Sequence, residues 1–346
     1  MSWWKLLSVL LLTYVIIAGF VVPLKPGIAF VSPQSATSNE TLQLSIEGYN
    51  THFESGKESI QVWLKMDSIY GVKANQFSVK NENQLEATFN IGSISNEFVD
   101  ATLYVANDID QTALLPSAIR ITKSDLQTAL PDFQKLPYDQ LQTKQGFLFP
   151  NREILNETIR NTFFHVALWM AMFALLIVGL YNGGQYLRTG DILYDSTAAS
   201  FNMIAIVYGL LGLATGSVWA KYTWGTWWTT DIKLNMAAIS MLIYVAYAIL
   251  RSSIDDIDKR AKLSALYSLF AFAAMIPLLF VFPRMNNVIS LHPGNGGNPA
   301  LGGEDLDNTL RMVFYPAIIG LFLFGRWIAT IRTRIESLFY KKSRLE

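Results

Sequence analysis

Apolar residues are concentrated in six long blocks along the chain, with polar stretches between them. Each block has about 17 or more residues and almost no charge, which is the length needed to cross the hydrocarbon core of a bilayer. The blocks cover residues 6–22, 163–181, 201–219, 234–250, 263–282 and 312–331. This pattern predicts a mainly α-helical polytopic membrane protein with six transmembrane helices.

The first block has two interpretations, a cleaved signal peptide or a retained anchor. No clear small-x-small cleavage site precedes Pro23, which favours a transmembrane anchor over residues 1–23. Cleavage remains the alternative, and it leaves the orientation of the later segments unchanged.

Residues 24–160 differ from the rest because they are polar and rich in Asn, Ser, Thr and Gln. Alternating apolar and polar residues predict antiparallel strands in four runs, residues 41–46, 60–64, 84–89 and 101–105. We therefore predict an inserted extracytoplasmic β-sandwich-like domain, immunoglobulin-like in character, over residues 24–125. A linker with short helical turns follows over residues 126–160, and a five-helix membrane domain covers residues 161–346.

Basic residues indicate the orientation of the helices, because Lys and Arg are enriched in cytoplasmic loops. They collect after the second segment, between the fourth and fifth, and after the last: Arg188, Arg251, Lys259, Arg260, Lys262, Arg332, Arg334, Lys341, Lys342 and Arg344. This bias predicts a cytoplasmic N-terminus and puts residues 24–160, 221–233 and 283–311 on the outer side of the membrane.

The composition excludes several classes of function. The formal net charge is zero, so no overall positive field favours nucleic acid. The chain has no cysteine, which excludes disulfides, zinc–thiolate sites, iron–sulfur clusters and a covalent CxxCH haem site. The three histidines are His52, His165 and His292, so a histidine-dependent function has few places to reside.

Two histidines and a tryptophan-rich loop fall on the predicted outer side. His165 lies at the outer end of the second segment, and His292 lies in the loop after the fifth. Between them in sequence, an outward loop carries Trp219, Trp224, Trp227 and Trp228. Two imidazoles can occupy both axial positions of a haem iron, whereas they make an incomplete zinc site. Aromatic side chains can in turn cover a flat apolar porphyrin.

Each of these residues also has an ordinary explanation. Interfacial tryptophans commonly form an aromatic belt, and a single histidine at a helix end is commonly just polar. The density of tryptophan beside two histidines nevertheless favours a haem site. In the same loop Gly225 permits a tight turn, and Asp231 is placed to cap the next helix. His52 lies among polar residues and is interpreted as an ordinary surface residue.

The sequence WGTWWTTD at residues 224–231 resembles the WGxWWxWD signature of the haem-handling WWD membrane proteins. The residues TGS at 215–217 and KL at 233–234 resemble the CcmC branch of this family, which acts in cytochrome c maturation. The resemblance covers about residues 161–342, and Thr230 stands where the family usually has tryptophan.

The resemblance implies that haem b binds non-covalently at the periplasmic face of a bacterial inner membrane. His165 and His292 would be the axial ligands of its iron. The haem-binding surface would further include Trp219, Trp224, Gly225, Trp227, Trp228 and Asp231. No catalysis is implied, since the haem would pass to a CcmE-like chaperone within a lipid-embedded complex of CcmA-, CcmB- and CcmD-like subunits.

Two other functions remain open. A CcsA-type cytochrome c synthetase component carries the same signature and attaches haem directly to apocytochrome c. Such proteins usually have further histidines inside the membrane, and no apolar block after the first has an interior histidine. A receptor or channel would use the β domain as a sensor, but the blocks contain almost none of the ionisable residues that mark ion pathways.

Overall fold

A computed structural model describes residues 2–124, 133–137, 141, 146–151, 155–285, 290, 292 and 306–343, with side chains in the last helix as far as Tyr340. The chain divides into two compact units, one formed by Met1–Val21 with Thr158–Glu346 and the other by Val22–Glu157. Much of the predicted linker 126–160, and most of the predicted outer loop 283–311, lie outside the described residues.

The first unit is helical. Its helices are α1 (Trp3–Val21), α2 (His165–Thr189), α3 (Ile192–Trp224), α4 (Ile232–Ser252), α5 (Ile257–Ile276) and α6 (Asn308–Ser343). Six helices in the described residues are long and apolar enough to cross a membrane, so the predicted polytopic fold is confirmed by helix length and composition. After α5 the chain continues as a π-helical turn, Pro277–Val281, and a short 3-10 turn, Phe282–Arg284.

Several helices are longer than the apolar blocks that predicted them, because capping residues define where each helix ends. Helix α3 begins after Asp191, whose carboxylate accepts a hydrogen bond from the backbone N–H of Leu193 at 2.9 Å. It ends before Gly225, which has a left-handed φ of 77° and donates its N–H to the carbonyl of Lys221 at 3.1 Å. The block 201–219 is therefore only the middle of this 33-residue helix.

A buried ion pair joins α3 to α4 at the end of the helical unit where α3 begins. Arg251 donates two hydrogen bonds to the carboxylate of Asp195, at 2.8 and 2.7 Å. Their side chains are only 13% and 6% exposed, and Glu336 of α6 lies 3.8 Å from the same guanidinium. Charged side chains from α3, α4 and α6 therefore cluster at this end of the helical unit.

The second unit consists of ten described strands in two sheets. The strands are β1 (Gly27–Ser32), β2 (Ser35–Thr37), β3 (Thr41–Tyr49), β4 (Gln61–Lys65), β5 (Tyr70–Lys73), β6 (Gln76–Asn81), β7 (Gln84–Asn90), β8 (Phe98–Asn107), β9 (Gln111–Thr122) and β10 (Gln134–Lys135). One sheet has the order β1-β3-β7-β6, and the other has the order β10-β5-β4-β8-β9-β2. The predicted β domain is thus confirmed. Three of its predicted runs lie in β3, β7 and β8, and the run 60–64 begins one residue before β4.

Inward-facing residues of both sheets share one core. In β3 every second residue is buried, including Leu44 and Ile46, as the alternating pattern predicted. Strand β9 escaped prediction because it carries Pro116 and a bulge: Ala101 of β8 pairs with Ile119, whereas Leu103 pairs with Leu115. The extra residues disrupt a strict two-residue alternation.

Removing the charge of Asp195 should destabilise the helical unit strongly. We expect Asp195→Asn to lower its free energy of unfolding by about 3 kcal/mol or more, because the buried Arg251 loses its counter-charge. Unfolding in mixed detergent micelles measures this. The control is Arg332→Gln, which breaks the more exposed pair between Arg332 and Glu336 without changing a partner of Arg251 and should cost at most about 1 kcal/mol. Equal losses in the two variants would contradict the expectation.

Candidate functional site

A cavity of about 210 Å³ lies in the helical unit, where α2 begins and α3 ends. We call it the histidine–tryptophan pocket. Aliphatic side chains of α2, α3 and α4 line it, together with two imidazoles and five other aromatic rings. The ring-bearing residues are His165, His292, Trp169, Phe173, Trp219, Trp228 and Phe280. The pocket therefore brings both predicted histidines to one place.

His165 is the first residue of α2 and is held in one orientation by the backbone of α3. Its Nδ1 lies 2.9 Å from the carbonyl oxygen of Gly212 and 3.3 Å from the hydroxyl of Thr215. A carbonyl can only accept a hydrogen bond, so Nδ1 carries the proton. The other ring nitrogen, Nε2, then keeps its lone pair and is available to a metal ion.

Two glycines of α3 allow the rings of α2 to lie this close. A Cβ atom at Gly216 would lie 2.6 Å from Cε1 of His165, and one at Gly212 would lie 2.8 Å from Nε1 of Trp169. Neither distance is compatible with an undisturbed packing. Small residues four apart let two membrane helices approach closely, and here they also make room for functional side chains.

His292 lies among the rings of the pocket. Its ring centre is 6.4 Å from that of His165, 5.7 Å from that of Trp219 and 6.5 Å from that of Trp224. Its neighbours 291 and 293–305 lie outside the described residues. His165 begins α2 and His292 follows α5, so the two histidines are far apart in sequence but meet in the pocket.

The sequence placed the four tryptophans of the signature region in one loop, and the structure corrects this. Trp219 and Trp224 lie in the last turns of α3, with ring centres 4.8 Å apart in an edge-to-face contact. Trp228 follows the helix, lines the pocket and donates its indole N–H to Asn235 at 3.2 Å. Trp227 does not line the pocket, and its side chain is 56% exposed.

The other two predicted residues shape the backbone. Gly225 ends α3 in the left-handed conformation, in which side chains other than glycine are disfavoured. Asp231 caps α4, because its carboxylate accepts a hydrogen bond from the N–H of Lys233 at 2.8 Å. The segment between the two helices is therefore fixed at both of its ends.

Some pocket residues were not predicted from the sequence. Trp169 lies one helical turn after His165 and its ring meets the imidazole edge-on at 6.4 Å, so helical spacing could have found it. Two cations also line the pocket, Lys233 and Arg284. Arg284 comes from the irregular turn after α5, and no sequence pattern pointed to its position.

The third histidine lies in the β unit and is more constrained than the sequence indicated. His52 Nδ1 lies 2.8 Å from Oδ1 of the buried Asp110, and the backbone N–H of His52 donates to the same carboxylate at 2.7 Å. The side chain of His52 is still 43% exposed. It is a surface residue with a fixed partner.

Comparison with known proteins identifies a matching family. The profile of the CcmC family, heme exporter protein C, matches residues 143–345. Similar proteins named heme exporter protein C come from Paracoccus denitrificans, with 26% identity over 55% of this chain and 78% of that protein, and from Bradyrhizobium diazoefficiens, with 28% over 56% and 75%. A third, from Escherichia coli K12, is 24% identical over 54% and 73%. The matched residues include the pocket and begin after β9.

Losing the cap at Asp231 should loosen the start of α4. We expect Asp231→Ala to cost about 1 kcal/mol locally and to speed amide hydrogen exchange at the first turn about fivefold. Hydrogen-exchange mass spectrometry measures this. Asp231→Asn keeps a capping oxygen and should exchange at nearly the wild-type rate. If both variants exchanged equally fast, the carboxylate charge rather than the cap would fix the turn.

Proposed function

The chain belongs to the heme exporter protein C family, and from this we propose that it holds haem between His165 and His292 and delivers it to a periplasmic chaperone. Family membership supports a role in haem handling for cytochrome c biogenesis, in a multi-pass inner membrane protein. The proposal adds the ligands, the side of the membrane and the recipient.

One observation carries the proposal: the imidazole ring centres of His165 and His292 are 6.4 Å apart. Metal–imidazole bonds are about 2 Å long, so two imidazoles on opposite sides of one metal have ring centres roughly 6 Å apart. The hydrogen bond from His165 Nδ1 to the carbonyl of Gly212 leaves Nε2 as the coordinating atom. The spacing and the tautomer both fit bis-imidazole ligation of one iron.

The rest of the pocket suits a porphyrin better than a bare ion. Trp169, Trp219 and Trp228 give it aromatic walls, which can pack on a flat apolar ring. Lys233 and Arg284 can neutralise the two propionates of haem, because a cation beside a carboxylate makes a charge-assisted hydrogen bond. Within the described residues, no group of three or more His, Cys, Asp or Glu could hold a bare metal ion.

The size of the pocket fits temporary binding. Its volume of about 210 Å³ is below the roughly 300–1,000 Å³ of sites that enclose drug-sized ligands. It would hold the iron and part of the ring while an edge of the porphyrin stays accessible. Trp227 and Trp228, which are 56% and 39% exposed, would form the surface onto which a chaperone resembling CcmE docks.

Each residue of the pocket then has a separate task in capture and release. His165 is a rigid ligand, because α3 fixes its ring through the hydrogen bond to Gly212. His292 is the ligand we expect the chaperone to displace, because His165 is the one that the backbone of α3 holds in place. We propose that haem b is bound non-covalently, and a thioether to this chain is excluded because the sequence has no cysteine. The protein handles haem and performs no bond-forming step.

The proposed orientation follows from charge. The pocket lies at the end of the helices away from Arg251, Arg260 and Arg332, and basic residues favour the cytoplasmic side. Haem would therefore be held at the periplasmic face, and CcmA-, CcmB- and CcmD-like subunits would complete a membrane complex. A CcsA-type synthetase is disfavoured, since the helical unit contains no histidine besides these two.

Both histidines should be required for haem binding. We expect His165→Ala and His292→Ala each to lower the haem retained by the detergent-purified protein at least about tenfold, because each removes one axial ligand. The pyridine-haemochrome assay measures haem content, and the yield of a reporter cytochrome c measures delivery.

The third histidine supplies the control for these variants. His52→Ala changes the same residue type in the β unit and should keep the wild-type haem content. Wild-type haem content in either pocket variant would falsify the ligand assignment. A reporter cytochrome matured without any chaperone would instead favour the synthetase.

Adding one methyl group beside His165 should disturb the site without removing a ligand. We expect Gly216→Ala to weaken haem binding about tenfold, because the new Cβ would lie 2.6 Å from Cε1 of the imidazole. Gly184→Ala is the matched control, since nothing lies within 4 Å of a Cβ at that position. Haem titration of the two variants checks this, and equal affinities would show that the ring position does not matter.

A further inference from the structure

A second cavity lies at the opposite end of the same helices. It has a volume of about 600 Å³ and is bordered by α3, α4, α5 and α6. Asp195 lines this cavity and Gly216 lines the histidine–tryptophan pocket, and both lie on α3. A rise of about 1.5 Å per residue puts them about 30 Å apart, which is the thickness of a hydrocarbon core. The two cavities therefore lie at opposite membrane boundaries.

Three arginines line this second cavity beside three carboxylates, Asp195, Asp255 and Glu336, and Arg260 and Arg332 keep donors that these carboxylates do not use. Arg251 gives two of its donors to the carboxylate of Asp195 and also lies 3.8 Å from Glu336. Arg332 contacts Glu336 at 3.0 Å through Nη2, but its Nε is buried and has no hydrogen-bond partner in the described part of the chain. No ion pair or side-chain hydrogen bond to another described residue engages Arg260. Unused guanidinium donors in a cavity suit an oxyanion.

An apolar groove continues from the same cavity along α6. It has a volume of about 450 Å³ and lies between α3 and α6, where Ile204, Ile328, Ile331 and Ile335 line it. Arg332, Glu336 and Phe339 line both the groove and the charged cavity. A cavity that carries arginines and carboxylates thus continues into an aliphatic groove, and we call this continuous surface the arginine cleft.

We propose that the arginine cleft is a binding site for a phospholipid, with the phosphate at Arg260 and Arg332 and an acyl chain along Ile328, Ile331 and Ile335. Basic pockets between helices at a membrane boundary bind phosphate headgroups. A free phosphate would use the cavity and leave the groove empty. Haem would use both, but the cleft contains no histidine to ligate its iron.

Photolabelling tests this proposal in the full-length protein. The protein is purified in phosphate-free maltoside micelles and exposed to phosphatidylglycerol that carries a photoactivatable group on its acyl chain. We expect labelled peptides from the groove face of α6. Arg260→Gln and Arg332→Gln should each reduce this labelling about fivefold, because each removes one cation at the headgroup.

Neighbouring residues that do not line the cleft provide matched controls. Lys262→Gln on α5 and Arg334→Gln on α6 remove exposed cations two residues away and should leave the labelling unchanged. Each variant is also titrated with haem, and a wild-type haem spectrum shows that the helical unit is intact. This readout separates the lipid site from the proposed haem site.

One label comparison and two competitions in the wild-type protein need no variant. Photoactivatable diacylglycerol has the same chains without a phosphate, and we expect it to label the groove much less than phosphatidylglycerol does. Equal labelling would mean that only the apolar chain is recognised, which overturns the proposal. Loss of the phosphatidylglycerol label on addition of inorganic phosphate alone, or of haem, would assign the cleft to those ligands instead.

Discussion

The close packing of α2 on α3 is the constraint on which the candidate site depends. Gly212 and Gly216 remove the side chains that would otherwise separate the two helices, and the rings of His165 and Trp169 occupy the space. The carbonyl of Gly212 then fixes the tautomer of His165. One backbone contact therefore sets the position of an imidazole, its direction and the nitrogen that it offers to a metal.

The two ends of the helical unit have different chemistry. One end gathers imidazoles and indoles around a small cavity, and the other gathers arginines and carboxylates around a larger one. The apolar middle of the helices separates them by the thickness of a bilayer. The buried pair between Arg251 and Asp195 ties α3 to α4, and both helices also border the aromatic pocket at their other ends. Helices α3 and α4 therefore connect the charged end of the helical unit to the end that carries the histidines.

Sequence alone predicted the parts of this protein that follow from local chemistry. Long apolar blocks gave the helices, alternation gave strands such as β3, and Gly225 and Asp231 were recognised from their residue types. It could not predict where each helix ends or which residues from different helices meet. Trp219 and Trp224 were assigned to a loop because the apolar block ends at Trp219 and polar residues follow, whereas α3 continues to Trp224 and ends at Gly225. Lys233 and Arg284 reach the pocket from separate helix ends, and only the fold brings them together.

The most direct test of the central claim is the near-infrared magnetic circular dichroism spectrum of the wild-type protein loaded with ferric haem. Its charge-transfer band depends on which two side chains coordinate the iron. If His165 and His292 share one iron, the haem is six-coordinate and low-spin, with the band of two imidazole ligands. A five-coordinate high-spin haem, or the band of one imidazole with a different second ligand, would contradict the account.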